Sequence, residues 1–156
     1  MNKVREFLHE SNKIEREYSV QALLDAMEAW DYAKSIKNMT VDDVLEIHRL
    51  LLQNMNSDIA GKIRNCPIWI GKMVKDQSEQ EIRNDLKAWL QFLFDSQQTE
   101  EDIKRAHIEF EDIHPFEDGN GRVGRILMNL QRRNAGLAIL IIHEGPEQLE
   151  YYKWFQ

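Results

Sequence analysis

The chain has 156 residues, enough for one domain with a single core, and its hydrophobic fraction of 42% excludes wholesale disorder. Acidic residues outnumber basic ones and the formal charge is −7, which excludes a general binder of the nucleic-acid backbone but leaves room for a small basic pocket. A lone cysteine, Cys66, rules out an internal disulfide and reads as a small semi-buried residue of a reducing, cytoplasmic setting.

The N-terminal run is too charged for a signal peptide, and the longest apolar run, 137–142, is too short to span a bilayer, so no membrane partner is expected. Val20, Leu23, Leu24, Met27 and Trp30 recur at helical spacing and predict a first amphipathic helix. A second follows the N-cap Thr40, with Val41, Val44, Leu45, His48, Leu51, Leu52 and Met55 facing inward. Between Gly61 and Gly71 the pattern turns to β-branched alternation, which predicts a short hairpin; Pro67 cannot donate to a ladder and makes it an edge element. Ser78 and Glu81 form a capping box before the stripe Ile82, Leu86, Trp89, Leu90 and Leu93. Thr99 caps a helix that buries Ile103, Ala106, His107, Phe110 and Ile113, with His107 as a structural histidine. A helix from about Asn120 to Asn134 ends on Gly136, and a last one follows Pro146.

The chemistry is concentrated in one run, His114-Pro115-Phe116-Glu117-Asp118-Gly119-Asn120-Gly121-Arg122-Val123-Gly124-Arg125. Two glycines flanking Asn120 permit positive φ and close backbone approach. Successive N–H groups there, with the positive end of the following helix, suit a phosphate. Arg122 and Arg125, three apart, are expected on nearly one face beside the loop, where their donor forks match phosphate oxygens. Asp118 among such donors calls for a cation, and magnesium, bound by one or two carboxylates plus phosphates, is the natural one. His114 is placed to take a proton from an attacking hydroxyl near neutral pH, while Phe116 is expected to enter the core and fix the loop.

Taken together these residues resemble the signature of the Fic family, His-x-Phe-x-(Asp/Glu)-Gly-Asn-Gly-Arg-x-x-Arg, with every fixed position filled. The resemblance extends more loosely from Ser11 to Trp154 and implies a mainly α, Fic-type helical domain with a short β-hairpin flap, residues 1–156 forming one unit. Within it, 1–18 would be an inhibitory helix region, 61–73 the flap and 106–134 the catalytic helix–loop–helix. The implied activity is protein adenylyltransfer: AMP passes from ATP to a side-chain hydroxyl of a target protein and pyrophosphate leaves. By the same resemblance His114 is the base and Asp118 binds Mg2+. Gly119, Asn120 and Gly121 cradle the α and β phosphates with Arg122 assisting, and Arg125 holds the γ phosphate. Ile68, Trp69, Ile70 and Gly71 would belong to the flap that pairs with an extended target segment. Ser11 and Glu15 resemble the inhibitory motif (Ser/Thr)-x-x-x-Glu-(Gly/Asn), in which Glu15 pairs with Arg125; Arg16 stands where glycine or asparagine is usual. Tyr151 and Tyr152 match a tyrosine pair that either stacks near adenine or packs the last helix.

Other activities of the same fold stay open: another nucleotide donor, or removal of AMP. A phosphotransferase branch typically has lysine where this chain has Gly121, which argues against it. An intact His114 and Asp118 argue against a non-catalytic nucleotide-binding module, and the acidic balance against a DNA-binding one. The target protein is not legible, and homo-oligomerisation is left open.

Overall fold

The computed structural model describes residues 2–93 and 98–156. It is mainly α, with helices α1 (Lys3–Ile14), α2 (Val20–Ser35), α3 (Val41–Leu52), α4 (Glu79–Leu90), α5 (Glu100–Ile113), α6 (Asn120–Asn134) and α7 (Pro146–Tyr152). A single turn of 3-10 helix, Lys153–Phe155, follows α7. Strands β1 (Ile68–Ile70) and β2 (Met73–Lys75) form an antiparallel hairpin in which Trp69 faces Val74.

The centre of the molecule is α6. Eleven of its residues are buried, including Arg122, Arg125, Asn129 and Gln131, and α1, α2, α3 and α5 all pack on it. A helix buried all round is usually apolar; here the polar members have specific partners. The Asn129 amide donates to Leu140 O at 3.0 Å and accepts from Leu140 N at 2.8 Å, pinning the apolar run 137–142 without a sheet. Gln131 donates to Leu93 O at 3.1 Å. Gly124 allows α5 and α6 to close, because a Cβ there would lie 2.9 Å from His107 Cε1 and 3.0 Å from Phe110 Cδ1. Ile126, Leu127 and Leu130 join the main core of Phe7, Trp30, Ile47, Leu51, Ile82, Leu86 and Phe110. A smaller cluster of Ile14, Ile103, Met128, Ile142 and Tyr151 seats the end of α1 against α7.

Helix ends follow local chemistry. Thr40 with Asp43 and Thr99 with Asp102 form reciprocal capping boxes. The box expected at Ser78 is only half made: Ser78 Oγ accepts from Glu81 N at 3.2 Å, with no return bond from the Glu81 side chain. Gly136 terminates α6 at φ +76°, with its N–H on Arg133 O and that of Leu137 on Arg132 O, the paired bonds of a left-handed helix stop.

Three expectations need correction. On α2, Val20 and Leu24 are exposed, and the buried face is instead Ala22, Leu23, Ala26, Ala29, Trp30 and Ala33. Alanines let α2 approach its neighbours closely, and a stripe defined by large residues overlooks them. Met55 lies beyond the end of α3. The hairpin also sits later than expected, at 68–75 rather than between Gly61 and Gly71, because Arg64 N is taken by Pro115 O at 2.9 Å and holds the preceding chain to the loop after α5.

The end of α1 has a strained residue. Arg16 takes φ +58° while its N–H bonds Lys13 O and that of Glu17 bonds Asn12 O, the same stop that Gly136 makes after α6. A left-handed non-glycine residue costs about 1–2 kcal/mol, partly offset for glycine by its greater chain entropy when unfolded. Arg16→Gly is therefore expected to raise the unfolding free energy by about 0.5–1 kcal/mol. The readout is the urea midpoint at unchanged m; a midpoint that stays put or falls contradicts the account.

Candidate active site

The loop between α5 and α6 is held from several sides. His114 caps α5 in the left-handed region, φ 51° and ψ 61°, and Pro115 prevents the helix from continuing. Such a backbone persists only when its surroundings fix it. Arg64, fully buried, supplies that: Nε donates to His114 O at 2.6 Å, Nη1 to Cys66 O and Nη2 to Gln77 Oε1, both at 3.2 Å. One cation therefore joins the root of the hairpin to the loop.

Asn120 closes the turn from the other end. Its amide donates to Phe116 O at 2.8 Å and accepts from Phe116 N at 2.9 Å. Phe116 is fully buried, as expected, and lies flat on His48, ring centroids 3.8 Å apart and 6° between planes. Gly61 N donates to His48 Nδ1 at 2.9 Å, so the other nitrogen, Nε2, carries the hydrogen and donates to Asp118 O at 2.8 Å. Gly119 adopts φ +89°, and a Cβ there would sit 3.1 Å from His48 Nε2. Glycine is needed at this position both for its backbone angle and for the histidine beside it. Gly121 has a different reason: it is helical, and a Cβ would meet Glu15 Oε1 at 2.6 Å and Arg125 Nη1 at 2.7 Å.

Helices α1 to α5 each have a side-chain N-cap, whereas α6 has none. Its first N–H groups have no helical acceptor and carry the positive end of the helix dipole. They border a cavity of about 260 Å3 lined by Glu15, Glu111, His114, Asp118, Gly121 and Arg125, among others. Arg125 is 2% exposed. Its Nε donates to Ser11 Oγ at 2.8 Å, Nη2 to Ser11 O at 3.1 Å and to Glu15 Oε1 at 2.8 Å, and Nη1 to the Tyr151 hydroxyl at 3.2 Å. The expected pairing of Glu15 with Arg125 is thus present in the geometry.

Beside this cavity lies a second, of about 270 Å3, between the hairpin and α5, lined by Trp69, Ile70, Ile108 and Phe155. His114 and Glu111 border both. Burial, reinforced by the charges of Arg64 and Lys75, lowers the His114 imidazole below its ordinary value although the Glu111 carbonyl opposes this, so it is neutral at pH 7. Burial also pushes the Glu111 carboxyl up to about 7, Arg125 opposing and Glu15 adding to it. Its Oε1 has no hydrogen-bond partner among the described residues. The hairpin is anchored by Lys75, whose Nζ donates to Asp112 O at 2.6 Å, and it leaves Trp69 71% exposed. Ile68 and Ile70 are half-buried, and Gly71 makes the turn at φ +61°.

Two arginines expected side by side are separated. Arg122 does not line the cavity beside the α6 N-terminus; its Nη2 faces Asp118 Oδ2 at 3.4 Å and its Nη1 the Met55 sulfur at 3.7 Å. Tyr151 and Tyr152 also diverge. The Tyr151 ring is buried with its hydroxyl on Arg125 and His107, whereas Tyr152 is 42% exposed and its hydroxyl accepts from Gln148 at 2.7 Å. The Asp118 side chain is 66% exposed, and no cluster of three or more metal-ligating side chains occurs among the described residues. His48, Arg64 and Glu111 escaped the sequence reading as site residues. Each is polar inside an apolar or alternating pattern, and that was the only signal available.

A mainly α domain built around a histidine- and glycine-bearing helix–loop–helix defines the class of protein. The Fic/DOC family model matches residues 38–131, and the chain belongs to this family. It is 34% identical over 125 residues to the protein adenylyltransferase fic-1 of Caenorhabditis briggsae, covering 77% of this chain and 24% of that protein. With the protein adenylyltransferase Fic of Aedes aegypti it shares 33% over 126 residues, 76% of this chain and 24% of the relative. The chain thus spans about a quarter of the length of these curated relatives. Among solved structures it is similar to Fic-1 from C. elegans, TM-score 0.78 at 23% identity over 98% of this chain and 55% of that one. The Fic domain containing signaling protein of Bacteroides thetaiotaomicron VPI-5482 gives 0.78 at 20%, covering 96% and 69%. At these identities the structures speak for the fold. No helix among the described residues is long and apolar enough to cross a membrane.

The scaffold histidine has a pH signature. Burial, helped by the Arg122 charge, pushes His48 down to about 4, although its bond to the Asp118 carbonyl opposes this. The unfolded chain therefore binds a proton near pH 6.5 that the folded chain refuses, and stability is lost as pH falls from 6.5 towards 4. The shift corresponds to a loss on the order of 3 kcal/mol. Glu111 acts oppositely between 7 and 4.5, because its raised pKa lets the folded chain take up a proton first. Buried His107, pushed down to about 3, adds a loss of the same sign, so His48→Gln is expected to reduce the fall in denaturation midpoint between pH 6.5 and 4.5 by about half rather than abolish it; an unchanged slope would clear His48 of the effect.

Proposed function

We propose that the chain is a protein adenylyltransferase held in check by its own α1. The observation that carries the reading is His114: a neutral imidazole bordering both the cavity beside the α6 N-terminus and the one under the hairpin. ATP would lie with its phosphates against the N–H groups of Gly119, Asn120 and Gly121; the first of these donates to Asp118 Oδ1 at 2.8 Å and would exchange that carboxylate for a phosphate oxygen. Arg125 would hold the γ phosphate and so fix the α phosphorus for in-line attack. A target segment laid along the free edge of β1 would bring its hydroxyl under Trp69 and Ile70 to His114. His114 then takes the hydroxyl proton, the oxygen bonds to the α phosphorus, the bond from that phosphorus to the bridging oxygen breaks, and pyrophosphate leaves. The names of the relatives, protein adenylyltransferases, support the same activity.

The donor set suits magnesium. Asp118 presents an exposed carboxylate at the cavity beside Glu117, and this ion prefers one or two carboxylates with phosphate oxygens to a closed protein cage. When bound it neutralises phosphate charge. Asn120 contributes through its backbone, its side chain being committed to Phe116. Arg122 acts on Asp118 rather than on phosphate.

Inhibition follows from competition for one guanidinium. The Glu15 carboxylate sits on Arg125 Nη2 at 2.8 Å, so a phosphate oxygen reaching that donor must displace it.

The test is incubation with magnesium and ATP labelled at the α or at the γ phosphate, in the presence of a cell extract as source of targets. Protein label is expected from the α position alone; label from γ alone would mean phosphotransfer. A charge-assisted hydrogen bond is worth about 1.5–3 kcal/mol, so Glu15→Gly should raise α labelling roughly ten- to hundredfold, and no rise refutes the inhibition. His114→Ala should lower transfer about a hundred- to ten-thousandfold with ATP binding intact. Lost binding would assign His114 to the nucleotide instead.

A further inference from the structure

Four hydrogen bonds hold the Arg125 guanidinium, and three of them come from Ser11 and Glu15 at the end of α1. The fourth comes from the Tyr151 hydroxyl on α7. Once the Glu15 carboxylate has yielded to a phosphate, Tyr151 is the partner that does not belong to α1.

We propose that Tyr151, oriented by His107, is the positioning residue that keeps the Arg125 guanidinium aimed into the phosphate cavity in the active state. This rests on the adenylyltransferase reading, in which Arg125 holds the γ phosphate.

Hydrogen accounting fixes the direction of the relay. Arginine only donates, so the phenol oxygen accepts from Arg125 Nη1 and its own hydrogen must go elsewhere. His107 Nε2 lies 2.7 Å from that oxygen. Burial, with the Arg125 charge, pushes His107 down to about 3 although a bond to the Gly124 backbone opposes this, so its ring is neutral with a single hydrogen; since Nε2 takes the phenol hydrogen, the ring hydrogen sits on Nδ1. Burial pushes the Tyr151 phenol up to about 12, so it keeps the hydrogen it donates. The relay therefore has one orientation: His107 accepts from Tyr151, and Tyr151 accepts from Arg125.

The ring is as constrained as the hydroxyl. Tyr151 is 4% exposed, with Trp154 and Phe155 packed edge-on at centroid distances of 5.2 Å. The Arg125 guanidinium carbon stands 5.7 Å from the ring centre. His107 lies on α5, the helix that His114 caps. The relay thus references the phosphate grip to the helix that carries the base, independently of α1.

The experiment measures ATP and ADP affinities by calorimetry in magnesium, using the full chain carrying Glu15→Gly, with and without Tyr151→Phe. The parent is expected to prefer ATP about tenfold or more, because only ATP offers a γ phosphate. Tyr151→Phe keeps the ring and should cut that preference about tenfold through ATP alone, leaving ADP affinity within about twofold. A purely structural role would weaken both nucleotides equally, and that result overturns the proposal, as does an unchanged preference. A parent that binds ATP and ADP alike refutes the γ-phosphate role of Arg125 itself and removes the premise, a failure distinct from that of Tyr151. His107→Leu supplies a second variant and should reproduce the lost preference. His107→Gln, whose amide oxygen can replace the Nε2 acceptor, should restore most of it; Leu and Gln variants with equal preferences would deny the relay.

Discussion

A guanidinium cannot shed its charge, and Arg125 has been taken almost wholly out of water. That constraint organises half of the molecule. A buried cation costs several kcal/mol unless surrounding groups satisfy it, and the groups that do so come from three places in the chain: Ser11 and Glu15 on α1, Tyr151 on α7, and His107 on α5 behind the tyrosine. The docking of the first helix and the packing of the last are therefore consequences of one charge near the start of α6. The apolar cluster of Ile14, Ile103, Met128, Ile142 and Tyr151 adds area to the same seam. Since Gly121 has no side chain, the space beside it is filled by the ends of Glu15 and Arg125.

The loop before α6 answers a different demand, a rigid backbone that leaves the first N–H groups of α6 without a side-chain cap. Helices α1 to α5 spend a side chain on their N-terminal donors; this loop spends its side chains on the backbone instead. Asn120 braces Phe116, Phe116 stacks on His48, His48 holds the Asp118 carbonyl, and Arg64 holds the carbonyl of His114. Two of those braces come from outside the loop's own segment, so α3 and the chain leading to the hairpin fix its shape as much as its own sequence does.

How much of this was legible in sequence varied with the kind of information involved. The order of α2 to α7, the Thr40 and Thr99 caps and the Gly136 stop are local and could be read directly, whereas α1 was expected only from the family resemblance. The signature run was readable as chemistry because its spacing is short. What failed was long-range. Val20 and Leu24 look like core residues until the alanines on the opposite face are seen to allow the closer approach. Arg122 and Arg125 share a helix face by spacing, yet Asp118 draws one guanidinium and Glu15 the other. The Gly61 segment alternates like a strand but is tethered through Arg64 to Pro115, about fifty residues distant, and so the strands form later. His48 and Arg64 were invisible as loop braces because their partners are backbone atoms, which leave no trace in residue identity.

The bracing of Leu140 by Asn129 bears on how the molecule behaves among its own copies. The stretch 137–142 has the composition of a segment that would pair readily with an identical neighbour: apolar, uncharged and without proline. At its middle, both the N–H and the carbonyl of one residue are engaged by a side-chain amide from the central helix. An approaching strand would find that rung of the ladder already taken. The amide acts as an internal stand-in for a second strand, and through it the fold carries a sticky segment without offering it to other molecules.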